Sequence, residues 1–488
     1  MTHMDNGEFV QMMENSKVKN VMCMFSDLRG ILQSFTIPVK EILEGDAMDG
    51  VGFDGSSIRG FKSIESSDMV WVPDISSTRV VPWIEDPFQR SAIIFGNVHE
   101  AFGERGGGLR SEVDPRGYVG AKAVEMAESM GYTAVFGPEI EFFVFESIDP
   151  THLSYDLWVS PNGGKGDSWG PPRVVPQSPE IRPGRVPLRP KEAYFRAPPE
   201  DTTNDFRNEL ASQLECMDVN IEYHHHEVAT AGQVELNYKA KTLVECGDAF
   251  YVYKFAAKNI AEKYGWVSTF MPKPVYLDNA SGMHTHQSLW RGEPFKGENV
   301  FYDPDEDYNL SQTARYYIGG LIEHSKALTA LCCPTVNSYK RLVPGFEAPI
   351  NISWSPRNRS ALIRVPLYFS SPGAIRCEYR AADPTCNPYI AFAAMLAAGL
   401  DGVKKKIEPG DPLRKDMYEL TSEEKKQHGV GELPTTLRDA IDHLSTDEVL
   451  LDLLGDHIFE QFVGLKIDEW NQYCLYVTPW EIMKYMDY

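Results

Sequence analysis

The sequence predicts an α+β chain of two or three domains, a small sheet-rich unit followed by a larger region that mixes strands and helices. Three observations carry this reading. At 488 residues the chain exceeds what one hydrophobic core usually fills. Short strand-like runs crowd the N-terminal part, whereas helical spacing dominates from Tyr389 onward. Between them a glycine run, Gly106–Gly108, and then Asp114-Pro115-Arg116 interrupt the pattern. The expected division is residues 1–112 and 113–488.

Taken in order, residues 19–37 read as two strands joined by a turn at Asp27–Gly30, and Met69–Pro73 and Ala92–Val98 add further strands. Tyr118–Met130 has the spacing of an amphipathic helix, and Tyr132–Phe145 reads as a strand. The Pro- and Gly-rich stretch 160–190 reads as irregular surface. Arg207–Cys216 has helical spacing, and Asn220–Tyr238 reads as strand, turn at Ala231-Gly232, and strand. Ala249–Tyr264 is an expected helix, Ser268–Trp290 a strand-rich stretch, and Thr313–Leu331 another helix. The longest apolar run, Ile390–Leu400, is too short to span a bilayer and reads as a buried helix.

Composition narrows the function classes. With 42% hydrophobic and 24% charged residues the chain reads as an ordinary soluble enzyme. A net charge of −23 argues against nucleic acid or an anionic membrane as partner, since no counterions would be released on binding. Eight cysteines without a C-x-x-C motif, and an N-terminus without a basic-then-apolar pattern, point to a reducing cytoplasm.

The chemistry is concentrated in a few short motifs. Alternate residues of a strand share a face, so Glu139 and Glu141 can enter one cavity. A lone E-x-E is usually a solvated face, but here Phe142-Phe143-Val144-Phe145 follows, and buried carboxylates need something to neutralise them. A turn at Ala231-Gly232 would bring Glu227 and Glu235 together across a hairpin, after the triplet His224-His225-His226. His284 and His286 share a strand face, an arrangement equally compatible with two satisfied core histidines. Glu378 precedes Arg380, by itself an ordinary local ion pair. Taken together, Glu139, Glu141, Glu227, Glu235, His284 and Glu378 describe a dinuclear site for oxygen-loving cations such as Mg²⁺ or Mn²⁺. Arg341, Arg359, Arg364, Arg376 and Arg380 crowd nearby, and cations beside guanidinium groups gather phosphate and carboxylate, which points to phosphoryl transfer from a nucleotide.

The chain also resembles glutamine synthetase of the bacterial and archaeal class I type. The resemblance rests on Gly52-Phe-Asp-Gly-Ser-Ser-Ile58, Phe136-Gly-Pro-Glu-Ile-Glu-Phe-Phe143, His224-His-His-Glu-Val-Ala-Thr-Ala-Gly-Gln233 and Thr269-Phe-Met-Pro-Lys-Pro274. It continues through Ser281-Gly-Met-His-Thr-His286, Asn337-Ser-Tyr-Lys-Arg-Leu-Val-Pro-Gly-Phe-Glu347 and Arg357-Asn-Arg-Ser360. It implies an N-terminal β-grasp domain, a catalytic α+β domain with an antiparallel sheet, and a homododecamer of two stacked hexamers with sites between neighbours. The implied reaction joins L-glutamate and ammonia through a γ-glutamyl phosphate at the expense of ATP, for nitrogen assimilation, with two to three Mg²⁺ or Mn²⁺ ions. Small regulatory nitrogen-signalling proteins stay open as partners. The alternative is a γ-glutamyl-amine ligase on the same fold, acting on a polyamine or ethanolamine.

By that resemblance, Glu141, Glu227 and Glu235 hold the cation nearer glutamate, and Glu139, His284 and Glu378 the one nearer the ATP phosphates. Asp54 binds ammonium and takes its proton, Glu347 closes over the site, and Arg359 contacts the transferred phosphate. Asn279, Ala280, Arg341, Glu347, Arg359 and Arg380 belong to the glutamate site, and Glu222, His286, Ser288, Arg359, Arg364 and Arg376 to the ATP site. Ala280 stands where the family usually has Gly; in a left-handed backbone it would be strained by about 1 kcal/mol. Tyr418 aligns with a tyrosine that some members adenylylate, and Ser63 replaces an arginine linked to feedback in one subtype.

Overall fold

The computed structural model describes residues 4–101, 108–146, 191–229, 232–344, 348–413, 425 and 429–488. The N-terminal sheet comprises β1 (Asn20–Ser26), β2 (Leu32–Pro38), β3 (Val51–Asp54), β4 (Asp68–Pro73), β5 (Arg79–Val80) and β6 (Ser91–Glu100). Its order is β2-β1-β6-β4-β3, with β5 on β6 and a parallel β1–β6 pair at its centre. The β1–β2 turn forms where expected. Gly30 supplies a φ of +82° there, and the Asp27 carboxylate accepts the N–H groups of Arg29 and Ile31, both at 2.9 Å.

The larger sheet contains β7 (Thr133–Phe145), β8 (Ile221–His226), β9 (Gln233–Tyr238), β10 (Lys241–Thr242), β11 (Val267–Thr269), β12 (Met283–Arg291), β13 (Glu298–Asn299), β15 (Trp354–Pro356), β16 (Ile363–Val365) and β17 (Cys377–Tyr379). A separate short pair joins β14 (Asn351–Ile352) to β18 (Gly431–Glu432). The main order is β15-β16-β17-β12-β7-β9-β8, antiparallel except for β15–β16. Alternation along β7 divides its two faces. Phe136, Ile140, Phe142 and Val144 join the main core, whereas Glu139 and Glu141 point the other way. Phe136 stacks on Phe392 with centroids 5.2 Å apart, and the Tyr253 hydroxyl donates to the Ile140 carbonyl at 3.2 Å. These contacts seat the helices Pro388–Lys405 and Leu243–Lys263 behind the sheet. The expected buried segment Ile390–Leu400 lies wholly inside the first of them. Among the described residues no helix is long and apolar enough to cross a membrane.

A buried arginine ties the two units together. Arg116 donates to both oxygens of Asp248 at 2.9 Å, to Asp74 at 2.7 Å and to Asn97 at 2.8 Å. Breaking one partner of such a network costs about 3–5 kcal/mol.

Three helices differ from expectation. The one read over Ala249–Tyr264 begins earlier, at Leu243, where Thr242 and Glu245 form a capping box. The segment read as one helix over Thr313–Leu331 is two, Gln312–Glu323 and Ser325–Cys332, broken at His324. Its ring is held between Asp447 at 2.6 Å and Asp401 at 3.1 Å, a tertiary constraint that spacing does not reveal. The helix read from Tyr118 starts with a π-helical turn, Pro115–Gly120, before its regular part, Ala121–Ser129. The stretch 160–190 lies outside the described residues.

Candidate active site

A cavity of about 900 Å³ opens on the polar face of the larger sheet. Its floor is laid down by strand register. Glu139 on β7 faces His284 on β12 and Asn237 on β9, and Glu141 faces Glu235, which in turn faces His225 on β8. Glu227 follows β8 directly, and His286 on β12 pairs with Glu378 on β17. Residues far apart in the chain are thus brought onto one face by the two-residue period of the strands.

Two donor clusters result. In the first, atoms of Glu139, His284 and Glu378 lie within 4.8 Å of one another. Glu139 contacts His286 Nε2 at 2.9 Å and His284 Nδ1 at 3.3 Å, and Arg376 Nε donates to His286 Nδ1 at 3.1 Å. Burial opposes ionisation of Glu139, yet the two imidazoles overcome it and hold the carboxyl well below its ordinary value. Glu378 is fully buried; it accepts from Arg364 at 2.9 Å and also pairs with Arg380. Burial opposes its ionisation too, and Arg380 and His286 pull its pKa down.

In the second cluster, atoms of His225, Glu227 and Glu235 lie within 4.8 Å. Glu141 adjoins them and accepts from Gln233 at 3.1 Å and from the Gly282 N–H at 2.9 Å. Here burial and mutual repulsion dominate. Glu227 is raised well above the ordinary range by burial and by Glu141 and Glu235, and Glu141 is raised by burial. The structure thus brings Glu139, His284 and Glu378 together, while in the second cluster His225 joins Glu227 and Glu235.

Arginines form the facing wall. Arg341, Arg357, Arg359, Arg364 and Arg380 line the cavity with Asn279 and Ala280. Arg341 is held by the Arg380 carbonyl at 3.1 Å and by the Ala381 carbonyl. A Cβ at Gly282 beneath it would lie 2.6 Å from Arg341 Nη2, so a side chain there would displace the guanidinium. Arg359 bonds the phenols of Tyr194 and Tyr368. Ala280 is not among the described residues with positive φ, so the strain expected of an alanine there does not arise.

The remaining predicted residues lie at or beyond the edge of the cavity. His286 and Ser288 continue the face of β12 carrying His284, and the Ser288 hydroxyl accepts from Trp290 at 3.0 Å. Glu222 is exposed beside a bulge in β8 and does not line the cavity. Asp54 closes β3, outside this chain's own cavity, and accepts from Ser56 and Ser57. Those bonds lower its pKa. Glu347 and Tyr418 lie outside the described residues. Sequence reasoning did not assign His225, Tyr194, Tyr223, Gln233 or Tyr368, all of which line the cavity. Alternation through Tyr223, His225 and Glu227 offered a signal for His225, whereas Tyr194 and Tyr368 sit outside the regular strands and gave none.

Comparison with known proteins decides the family. A model of the glutamine synthetase β-grasp domain matches residues 17–101, and one of the glutamine synthetase catalytic domain matches residues 112–485. A glutamine synthetase of Archaeoglobus fulgidus is 66% identical over 476 residues, 97% of this chain and 96% of the relative. The chain belongs to the glutamine synthetase family. A second relative, the glutamine synthetase of Thermotoga maritima, is 40% identical over 98% of both chains. Among solved structures, a Plasmodium falciparum glutamine synthetase superposes with a TM-score of 0.80 at 26% identity, covering 98% of each chain. A GmaS/ADP complex gives 0.78 at 29% identity, covering 98% of this chain and 99% of the other.

The activity is that of the family, ATP-dependent formation of glutamine from glutamate and ammonia, and the amine-ligase alternative is not favoured. The family's use of ATP and divalent metal agrees with the donors present. Glu141, Glu227 and Glu235 crowd together, with the pKa values of the first two raised and imidazole beside them, and form an oxygen-rich set that a hard cation would neutralise.

Proposed function

We propose that this cavity, completed by a neighbouring copy, performs the ligation in two steps, through a γ-glutamyl phosphate. The observation that carries the reading is one cavity with an acidic floor and an arginine wall. A free carboxylate is a poor acyl donor, whereas its mixed anhydride with phosphate has a good leaving group. Forming that anhydride brings two anions together, and positive charge must offset their repulsion. Arg359 and Arg364 are assigned to the transferred phosphoryl group, with Arg376, His286 and Ser288 towards the nucleotide. Arg341 and Arg380, with Asn279, are assigned to glutamate's carboxylates. Arg341 is fixed by backbone carbonyls, so a carboxylate meets a guanidinium already oriented.

Glu139, His284 and Glu378 would hold one divalent ion, and Glu141, Glu227 and Glu235, with His225 beside them, a second. Bound there, Mg²⁺ or Mn²⁺ would supply charge neutralisation for the phosphates. The ADP-bound relative supports placing a nucleotide in this fold.

Ammonia must reach the acyl phosphate as the free amine. The ionised carboxylate of Asp54 would bind ammonium and take one of its protons, freeing the lone pair that then attacks the acyl carbon and expels phosphate, with Glu347 assigned to the same site. Because Asp54 stands outside its own cavity, it is assigned to a neighbouring copy's site, within a dodecamer of two stacked hexamers. The exposed apolar end of the chain, including Leu475, Val477, Trp480 and Met486, calls for such a partner. Cysteines that are all free thiols support a cytoplasmic location, and small regulatory proteins would act on the assembled form.

Product analysis with ammonia, methylamine, ethanolamine and putrescine tests the amine. Glutamine should be the dominant product; preference for a bulkier amine would overturn the assignment. Asp54→Ala is expected to suppress glutamine formation mainly through a raised KM for ammonia. Unchanged kinetics would remove Asp54 from the mechanism. A monomer or simple dimer in sedimentation analysis would refute the shared site.

A further inference from the structure

A second cavity, about 530 Å³, lies between the small sheet and the catalytic unit, in the size range of small-ligand sites. The β1–β2 turn contributes Arg29, the helix Leu243–Lys263 contributes Lys254 and Lys258, and the long helix Glu448–Leu475 contributes Lys466. In a chain of net charge −23, four cations around one hollow run against the overall balance.

Two of these charges are compensated. Asp27 accepts from Arg29 at 2.9 and 2.6 Å, and Glu469 accepts from Lys466 at 3.0 Å. The other Glu469 oxygen is taken by the Val336 N–H at 3.0 Å. Among the described residues, Lys254 and Lys258 form no ion pair. Lys254 donates to the Pro384 carbonyl at 2.8 Å and stands 5.0 and 5.1 Å from the centroids of Phe250 and Phe270. An ammonium has three donors, so two remain. Burial, with repulsion from Lys258, pushes its pKa down to about 8, against a weaker pull from Cys386 and Asp383. A lysine kept only for structure would be paired, since a buried charge without a counter-ion is costly. Met24 and Leu32 of the small sheet, and Phe255 of the lysine-bearing helix, give the hollow apolar lining.

We propose that this hollow binds a small organic anion, with a carboxylate or phosphate group between Lys254 and Lys258 and its carbon body against Leu32 and Phe255. The site is separate from the catalytic cavity, and no cavity-lining residue is common to both. An occupant would bridge the β1–β2 turn and the helix Leu243–Lys263, and would therefore stabilise the junction of the two units as well as being bound.

The test is calorimetric titration of the intact assembled enzyme, with the catalytic cavity saturated by Mg²⁺, ADP and glutamate, using inorganic phosphate and succinate as probes. At least one probe should bind wild type and raise its Tm. Its Kd should weaken about tenfold or more in Lys258→Ala and in Lys254→Met, as expected for loss of one charge-assisted hydrogen bond. Lys258→Arg should retain binding, and KM for glutamate and ATP should stay unchanged in all three. Phosphate alone identifies a phosphate ester as the natural class, and succinate alone identifies an organic acid. Equal binding by wild type and Lys258→Ala, or no binding by either, overturns the proposal. Lys258 is exposed, so its variant decides the matter even should Lys254→Met fail to fold.

Discussion

On one side of the catalytic cavity Glu139 and Glu378 are ringed by imidazole and guanidinium groups; on the other, Glu141, Glu227 and Glu235 are ringed by one another. The first pair is held ionised by imidazole and guanidinium groups despite burial. Glu141 and Glu227 are pushed towards protonation by burial and crowding. The same side-chain type, a few residues apart on one sheet, is thus set to opposite purposes by its neighbours. One cluster is neutralised from within and contributes to the fold. The other stores repulsion that an incoming cation relieves.

Breaking the two clusters should therefore give opposite stability effects. Glu378→Gln leaves Arg364 and Arg380 facing each other without a counter-charge in a buried site. It should cost about 3–5 kcal/mol as well as abolishing activity. Glu227→Gln removes repulsion, so the metal-free protein should be as stable as wild type or more so. Its activity should nevertheless fall on the order of a thousandfold through loss of a cation ligand. Denaturant titration beside kinetics separates the two, and equal destabilisation by both variants would erase the distinction.

Gly282→Ala comes next. The added Cβ would lie 2.6 Å from Arg341 Nη2 and 3.3 Å from His284 Nε2, so it meets the arginine wall and the first cluster together. A displacement of about 1 Å at such a site costs roughly a hundredfold in rate. The expected signature is a lower kcat and a higher KM for glutamate with little change in Tm. A variant with wild-type kinetics would show that Arg341 shifts freely.

The pH dependence sharpens the contrast. Glu139 and Glu378 have lowered pKa values in the fold, so their contribution is present above about 4.5, the unfolded value, and is lost as pH falls through the lowered ones. For Glu141 and Glu227 the sign reverses. The fold retains protons that the unfolded chain releases, so stability falls as pH rises from about 4.5 through the raised values. With chelator present, urea midpoints of wild type should decline over that upper window. Saturating Mg²⁺ should flatten the decline, and Glu227→Gln should reduce it without metal. A wild-type slope unaffected by Mg²⁺ would mean that the cation binds elsewhere.

Much of this was legible in the sequence, for identifiable reasons. Alternation along Tyr132–Phe145 placed Glu139 and Glu141 on one face, and the observed strand Thr133–Phe145 keeps that register. The hairpin expectation set Glu227 near Glu235, and strands flanking Gly232, whose φ is +67°, fulfil it. What stayed hidden depends on pairing between distant segments. No local pattern told that His225 would face Glu235, that Tyr194 and Tyr368 would reach Arg359, or that two aspartates would break a helix at His324. Nor did spacing indicate that Lys254 and Lys258 would share a hollow with Arg29.

The smallest expected effect concerns Ala280, whose carbonyl accepts from the same Gln233 amide that bonds Glu141. Its backbone is not left-handed, so glycine would relieve nothing there and would only loosen the unfolded and folded chain. Ala280→Gly should therefore cost about 0.5–1 kcal/mol, with KM for glutamate within about twofold of wild type. A tenfold fall in KM would instead mean that the methyl group crowds the substrate, and that this edge of the second cluster is tuned by the alanine itself.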